Sequence, residues 1–293
     1  RSRVVIVYKP GLTIWYGVFN MNSPLVGQKR NGKLDLTGKY DELDSTKLRR
    51  AIFHSINPIP FIRQVDLFNG NAKPANQMMQ PPFLGYVQGA PAGTPFADFT
   101  DKDWYFDREK AKAEFASLSA DFKAKLVPES VKLVVGNITD RVKIANNIKD
   151  QVKTVLGVDI IKVIPMVNAQ IIQMSKTGDE NYDMVVTGWF TPTGDPDYTC
   201  IIFNGESIGT GMNGAVYNND IVNASISLGR YTLDPKARKA AYEKAQIQLM
   251  TDKPYFPMVY ENVIFGTHPR VGNTEKAIFG TKLVDIHLLT KQF

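Results

Sequence analysis

The chain has 293 residues, of which 43% are hydrophobic and 22% charged, with a formal charge of +6. That is enough chain for one large or two modest domains with real cores, and the balance excludes a disordered polymer. No apolar run approaches the roughly 20 residues of a membrane span. The single cysteine, Cys200, excludes a disulfide framework, and the excess Lys and Arg are spread along the chain without a nucleic-acid-reading motif.

In chain order, residues 3–8 and 14–20 read as two strands joined by a Lys-Pro-Gly turn. The chain opens inside the first of them, with neither an initiator Met nor a signal sequence, so a longer parent is expected. Residues 27–41, rich in Gly and charge, read as a loop or small hairpin. Asp44 or Ser45 caps a helix to about Asn57, with Leu48, Ile52 and Ile56 at helical spacing and Arg49 and Arg50 facing outward. Asn57-Pro-Ile-Pro ends it, because Pro lacks an N–H and disfavours helix before it. Residues 69–103 form a long irregular stretch rich in Pro, Gly and Asn, either a cleft margin or a surface wrap.

Asp107 caps the next helix, through Leu118. Residues 132–135, a helix over 140–156 closed by Gly157, and residues 159–163 make a βαβ unit with parallel strands. A helix near 167–176 precedes a buried strand over 182–187, which leads into the turn-dense Gly188-Trp-Phe-Thr-Pro-Thr-Gly-Asp-Pro-Asp197. Asp234 caps a long helix to about Thr251, and residues 258–265 and 282–289 read as strands. The class is α/β, a mixed sheet flanked by helices.

Local chemistry is sparse. Gly209-Thr-Gly-Met-Asn-Gly214 matches a dinucleotide fingerprint on paper, but it runs on into Ala-Val-Tyr-Asn-Asn-Asp220, a strand-and-turn signal and not a helix start; the loop reading wins. Asp195 and Asp197 flank Pro196, where acidic residues serve turns more often than acid–base pairs. His54, His268 and His287 have no ligand spacing, and no nucleophile triad or zinc-protease motif appears. No enzyme activity, catalytic residue, metal or cofactor is therefore expected. Trp189 stands apart: it enters a loop at a strand C-terminal end, where open α/β sheets bind ligands. It supplies either an apolar wall for a ligand side chain or plain packing over the sheet edge.

Four segments carry a resemblance. Leu48-Arg-Arg-Ala-Ile-Phe-His-Ser-Ile-Asn57 is followed by Lys73-Pro-Ala-Asn76 and a Pro-Pro pair; the second is Tyr105-Phe-Asp-Arg-Glu-Lys-Ala-Lys112. The third is Tyr182-Asp-Met-Val-Val-Thr-Gly-Trp189 with Gly194-Asp-Pro196. The last is Arg238-Lys-Ala-Ala-Tyr-Glu-Lys-Ala-Gln246 with Leu249, Asp252, Pro254, Pro257 and Tyr260. Together they resemble the C-terminal part of peptide/nickel-type solute-binding proteins of ABC importers, the oligopeptide- and dipeptide-binding class.

The resemblance implies a clam of two α/β lobes that closes on its ligand. Residues 24–265 would form the second, periplasmic-binding-protein-like lobe, with strands in 1–23 and 266–293 belonging to the first. It implies a bacterial, extracytoplasmic protein, periplasmic or lipid-anchored. Such a protein would act as a monomer, capturing a peptide or small solute for a membrane permease, with no nucleic-acid partner. Family peptides pair with an exposed strand. Carried over, the backbones of Gly188 and Phe190 would pair with the ligand and Trp189 would line a side-chain pocket, with Thr187, Pro192 and Asp195 completing the contact set. One departure stands out. Peptide-binding members commonly place an Asp three residues after that Trp to bind the ligand's α-amino group; here the position is Pro192, with Asp195 or Asp197 as candidate substitutes. The alternatives are a non-peptide ligand, such as a metal chelate, and a ligand-sensing domain of a regulator or receptor.

Overall fold

The computed structural model describes residues 4–30, 33–34, 43–89, 91–98, 105–279 and 283–291. Its strands are β1 (Val5–Phe19), β2 (Lys29–Arg30), β3 (Lys33–Leu34), β4 (Ala72–Pro74), β5 (Val131–Gly136), β6 (Ile161–Met166), β7 (Met184–Phe190), β8 (Tyr255–Thr267), β9 (Val271–Gly272) and β10 (Thr290–Lys291). Its helices are α1 (Asp44–Ser55), α2 (Pro58–Gln64), α3 (Arg108–Ala116), α4 (Ala120–Lys123), α5 (Thr139–Leu156), α6 (Asn168–Thr177), α7 (Pro196–Cys200), α8 (Asp220–Tyr231), α9 (Pro235–Asp252) and α10 (Thr274–Ala277). Among the described residues no helix is long and apolar enough to cross a membrane.

Six strands form one mixed sheet in the order β4-β8-β1-β7-β5-β6. β6, β5 and β7 run parallel, as the βαβ reading requires, and the remaining pairs are antiparallel. β5 is Val-Lys-Leu-Val-Val-Gly, β-branched and buried along most of its length, which suits a strand covered on both faces. Helix α5 packs on β5, β6 and β7 together with α1, α2 and α3, while α7, α8 and α9 pack on one another. Asp107, Asp234 and Asn57 cap α3, α9 and α2, each accepting a main-chain N–H, and Gly157 ends α5 in the left-handed conformation.

Several expectations change. The two N-terminal strands are one, and the Lys-Pro-Gly segment does not turn. Instead the ladder slips between Pro10↔Asn262 and Thr13↔Glu261, a bulge that keeps β1 on β8. Gly11 permits it, since a Cβ there would lie 2.3 Å from the Glu261 carbonyl oxygen. Residues 11–20 are buried in the centre of the sheet. Only residues 5–10, paired with 262–267, leave the sheet as a two-stranded ribbon.

Helix α1 starts after Leu43 with no side-chain cap. The Asp44 carboxylate instead accepts the Ser119 N–H and hydroxyl, and these bonds with nearby Lys47 and Lys123 outweigh the cost of burial and hold its pKa below the usual range. Arg49 does not face outward. It is fully buried and donates to the carbonyls of Val26, Gly27 and Asp252. The stretch from Asn69, within the described residues, is part of the core: Met78, Met79 and Phe96 are fully buried, and the Tyr260 hydroxyl donates to the carbonyls of Gln77 and Met79. The strand expected over 282–289 is an Ile278↔Val284 bridge and a 3-10 turn over 286–288, capped by Asp285; Lys282 lies outside the described residues.

Candidate ligand-binding cleft

The cleft arises from a mismatch in strand length. β5 ends at Gly136 and pairs with β7 only through Leu133↔Met184, Val134↔Val185 and Val135↔Val186. β7 continues to Phe190, held on its other side by β1 through Tyr16↔Thr187, Trp15↔Gly188, Ile14↔Trp189 and Thr13↔Phe190. Among the described residues, no strand covers Thr187–Phe190 on the β5 side. A polar strand edge is thus left open beside a cavity of about 440 Å³.

The walls come from three places. Tyr16 and Val18 of β1 line the cavity with Val185, Thr187 and Trp189 of β7; Ile171, Ile172 and Ser175 come from α6, and Thr210, Gly211 and Met212 from the turn before α8. Gly211 is needed there: its φ is +90°, and a Cβ would stand 2.8 Å from Ile172 Cγ2. The glycine-rich segment that resembles a nucleotide loop therefore forms a cleft wall.

Arg141, in the first turn of α5, stands where β5 stops. Its Nη1 donates to Asn168 Oδ1 at 3.0 Å, and its guanidinium carbon is 5.7 Å from the Trp15 ring centroid. Trp15 is itself oriented, its Nε1 donating to Glu261 Oε2 at 3.0 Å. Two glycines make the room. A Cβ at Gly136 would approach Arg141 Nη1 to 2.9 Å, and one at Gly188 would lie 3.2 Å from Trp15 Cε2.

Of the six residues the sequence points to, Thr187, Gly188 and Trp189 line the cavity. Trp189 lies within β7 and not in a loop; its ring stacks on Tyr198 at 5.4 Å, and its Nε1 donates to the Tyr198 carbonyl. Phe190 ends the strand, 40% exposed and outside the cavity lining. Pro192 is exposed beyond the strand end. Asp195 caps α7, accepting the Asp197 N–H, and takes both hydrogen bonds of Arg238 Nη2 at 2.9 and 3.0 Å. Asp197 is paired with Arg230 at 3.1 Å. Asp195 does the turn work expected of it, and the two ion pairs hold α7 to α8 and α9.

Sequence reading missed Arg141, Asn168, Ser175 and the 210–212 wall. Arg141 sits in an ordinary amphipathic helix pattern, and nothing local separates it from the solvated cations around it.

Residues 1–211 match the model of the bacterial extracellular solute-binding proteins, family 5 Middle. Among solved structures, an ABC transporter substrate-binding protein, CtaP, from Listeria monocytogenes is 20% identical with a TM-score of 0.72, over 99% of this chain and 52% of that one. The periplasmic binding protein DppA of Helicobacter pylori, in complex with the peptide STSA, is 20% identical with a TM-score of 0.67, over 99% and 49%. A dipeptide-binding protein of Pseudoalteromonas sp. SM9913, in complex with Met-Leu, is 18% identical with a TM-score of 0.70, over 100% and 51%. The chain therefore spans about half the length of these structures, and at these identities they establish its fold. No curated protein matches it.

Proposed function

The chain belongs to the bacterial extracellular solute-binding proteins of family 5, and from that premise we propose that it forms one lobe of the solute-capturing component of an ABC importer. The lobe begins near Gly11 and ends near Val263. The ribbon of 5–10 with 262–267, and the segment after it, lead toward the second lobe. The ligand is an extended peptide or a related small solute, which lies along the open edge of Thr187–Phe190 and pairs with the main chain there. Trp189 and the α6 side chains form the apolar walls for its side groups.

Closure of the second lobe over this edge is a population shift, because a ligand touching both lobes favours the closed form. The loaded protein then delivers its solute to a membrane permease. It works as a monomer outside the cytoplasm, either free in the periplasm or lipid-anchored. The one observation that carries this reading is the uncovered strand edge inside the cavity.

A non-peptide ligand is the second reading, favoured by Pro192 in place of an acid and by the pairing of Asp195 and Asp197 with arginines. Native mass spectrometry of the full-length protein, purified without refolding, separates the two. A ladder of co-purifying peptide masses is the expected result. A single non-peptide mass in the cleft would overturn the peptide reading.

A further inference from the structure

We propose that Val216 is a positioning residue for the cleft: held in a strained backbone conformation, it docks the loop before α8 onto the end of α6 and so sets the distance between α6 and the 210–212 turn. The proposal rests on the reading that this cleft holds the ligand. Among the described non-glycine residues with positive φ, namely Asn69, Glu129, Val216, Lys253 and Asn273, Val216 alone is β-branched. Its φ of +50° crowds a branched Cβ against its own main chain, a conformation that persists only where the surroundings over-determine it. Those surroundings are present. Asn213 Oδ1 accepts the Tyr217 N–H at 3.1 Å, and its Nδ2 donates to the carbonyls of Tyr217 and Asn204 at 2.8 and 3.1 Å. The Ala215 carbonyl accepts the Met21 N–H, the Gly214 carbonyl accepts the Tyr182 hydroxyl, and the Tyr217 hydroxyl donates to Asp252.

The cleft wall just before this anchor has no such ties. The Ile208 and Thr210 N–H groups bond to Gly205 and Ser207, the Met212 N–H bonds to the Thr210 hydroxyl, and the Met212 carbonyl accepts the Gly214 N–H, all within the loop itself. Its place against α6 therefore depends on where the anchor holds it. The anchor meets α6 through Val216, which is 6% exposed: a Cβ at Gly178, the residue that ends α6, would lie 3.4 and 3.5 Å from the two Val216 methyl carbons. The wall meets the same helix at Gly211, with Ile172 and Lys176 beneath it. Glycine is the residue that the backbone at 216 favours. The valine found there offsets its strain by filling the space over Gly178, and that contact keeps α6 and the turn in register.

The test sets Val216→Gly, which relieves the backbone but removes the side chain, against Val216→Thr, which keeps both γ atoms, in the full-length protein. Two readouts are followed. The first needs no ligand: the nuclear Overhauser contact between the Gly211 α-protons and the Ile172 γ2 methyl group. The second is calorimetric titration with Ala-Ala-Ala, Ala-Leu-Ala and Ala-Trp-Ala, whose affinities in the wild type are expected to span about tenfold or more because the cleft has a fixed width. Val216→Gly, and Val216→Ala should the glycine variant not fold, should lose the Overhauser contact and most of the spread between the peptides. Val216→Thr should keep both, even where burying its hydroxyl lowers the melting temperature. If the contact and the spread follow melting temperature across the variants instead, Val216 acts on stability alone and the proposal is overturned. An unchanged spread in Val216→Gly would overturn it and leave the peptide reading standing. If no peptide binds the wild-type protein, the peptide reading falls, and an Overhauser contact that survives in Val216→Gly would overturn the positioning role as well.

Discussion

Two buried ionisable side chains oppose each other in their response to acid. Asp252, at the end of α9, accepts hydrogen bonds from Tyr217, Asn219 and Gln248, and its burial pushes the carboxyl up to about 7. His54, in α1, is also buried, its Nδ1 2.8 Å from the Tyr105 carbonyl, and burial pushes its pKa down to about 4. Between pH 4 and 7 folded Asp252 binds a proton that the unfolded chain does not, so its contribution favours folding in acid and is lost as pH rises through about 7. His54 does the reverse. Its contribution is present above about 6.5 and is lost as pH falls toward 4, because only the unfolded chain takes up that proton. Each is worth on the order of 2 kcal/mol or more across this window, and the two largely offset one another. Asp252→Asn should therefore make stability fall from pH 7 to 4.5 more steeply than in the wild type, and His54→Gln should make it fall less or rise. Urea midpoints at the two pH values measure both slopes, and parallel shifts in the two variants would refute the assignment. None of this is legible in the sequence. Asp252 reads only as one residue of the last family-like segment, His54 as one of three scattered histidines, and Arg49 as half of an outward-facing Arg-Arg pair. A side chain's burial depends on what the rest of the fold lays over it, and Arg49 lies beneath carbonyls contributed by residues 26, 27 and 252.

At the scale of elements, long periodic segments and their caps were readable because their causes are local. Asp107, Asp234 and Gly157 act within one turn of their own position. The misread elements depend on distant partners. Gly11 looks like a turn residue, yet it is the close approach of β8 that requires it. Trp189 looks like the start of a loop, yet Ile14 of β1 holds it in a strand. The same logic gives a test of the ribbon. Gly11→Val places side-chain atoms against the Glu261 carbonyl and Val263, which should cost roughly 1–3 kcal/mol locally. Amide exchange of Val7, Lys9 and Phe265 should then accelerate, while Tyr16 and Val18, farther along β1 and buried in the main sheet, keep their protection. If the amides of 16 and 18 lose protection equally, the ribbon and the sheet are one cooperative unit and the bulge is no boundary.

For the whole molecule, the decisive feature is that the cleft stays open along the β7 edge. The β7 edge, α6 and the 210–212 turn enclose about 440 Å³ from one side of a sheet, in a chain about half as long as the structures it resembles. Apolar side chains stand exposed where the proposed second lobe would join: Val5, Ile6 and Tyr8 on the ribbon, Ile264 opposite them, and Leu283 and Ile286 near the C-terminal turn. A ligand on the β7 edge of these 293 residues alone buries one face and leaves the other in water, so it forgoes the contacts that closure adds and the exclusion of water that strengthens its hydrogen bonds. Losing half the contact area of a small ligand removes several kcal/mol, a factor of about a hundred or more in affinity. The 293-residue chain should therefore bind a peptide at least a hundredfold more weakly than the full-length protein does. Parallel titrations of the two with the same peptide measure the difference. Equal affinities would mean that this lobe alone makes the site and that closure serves delivery to the permease and not capture.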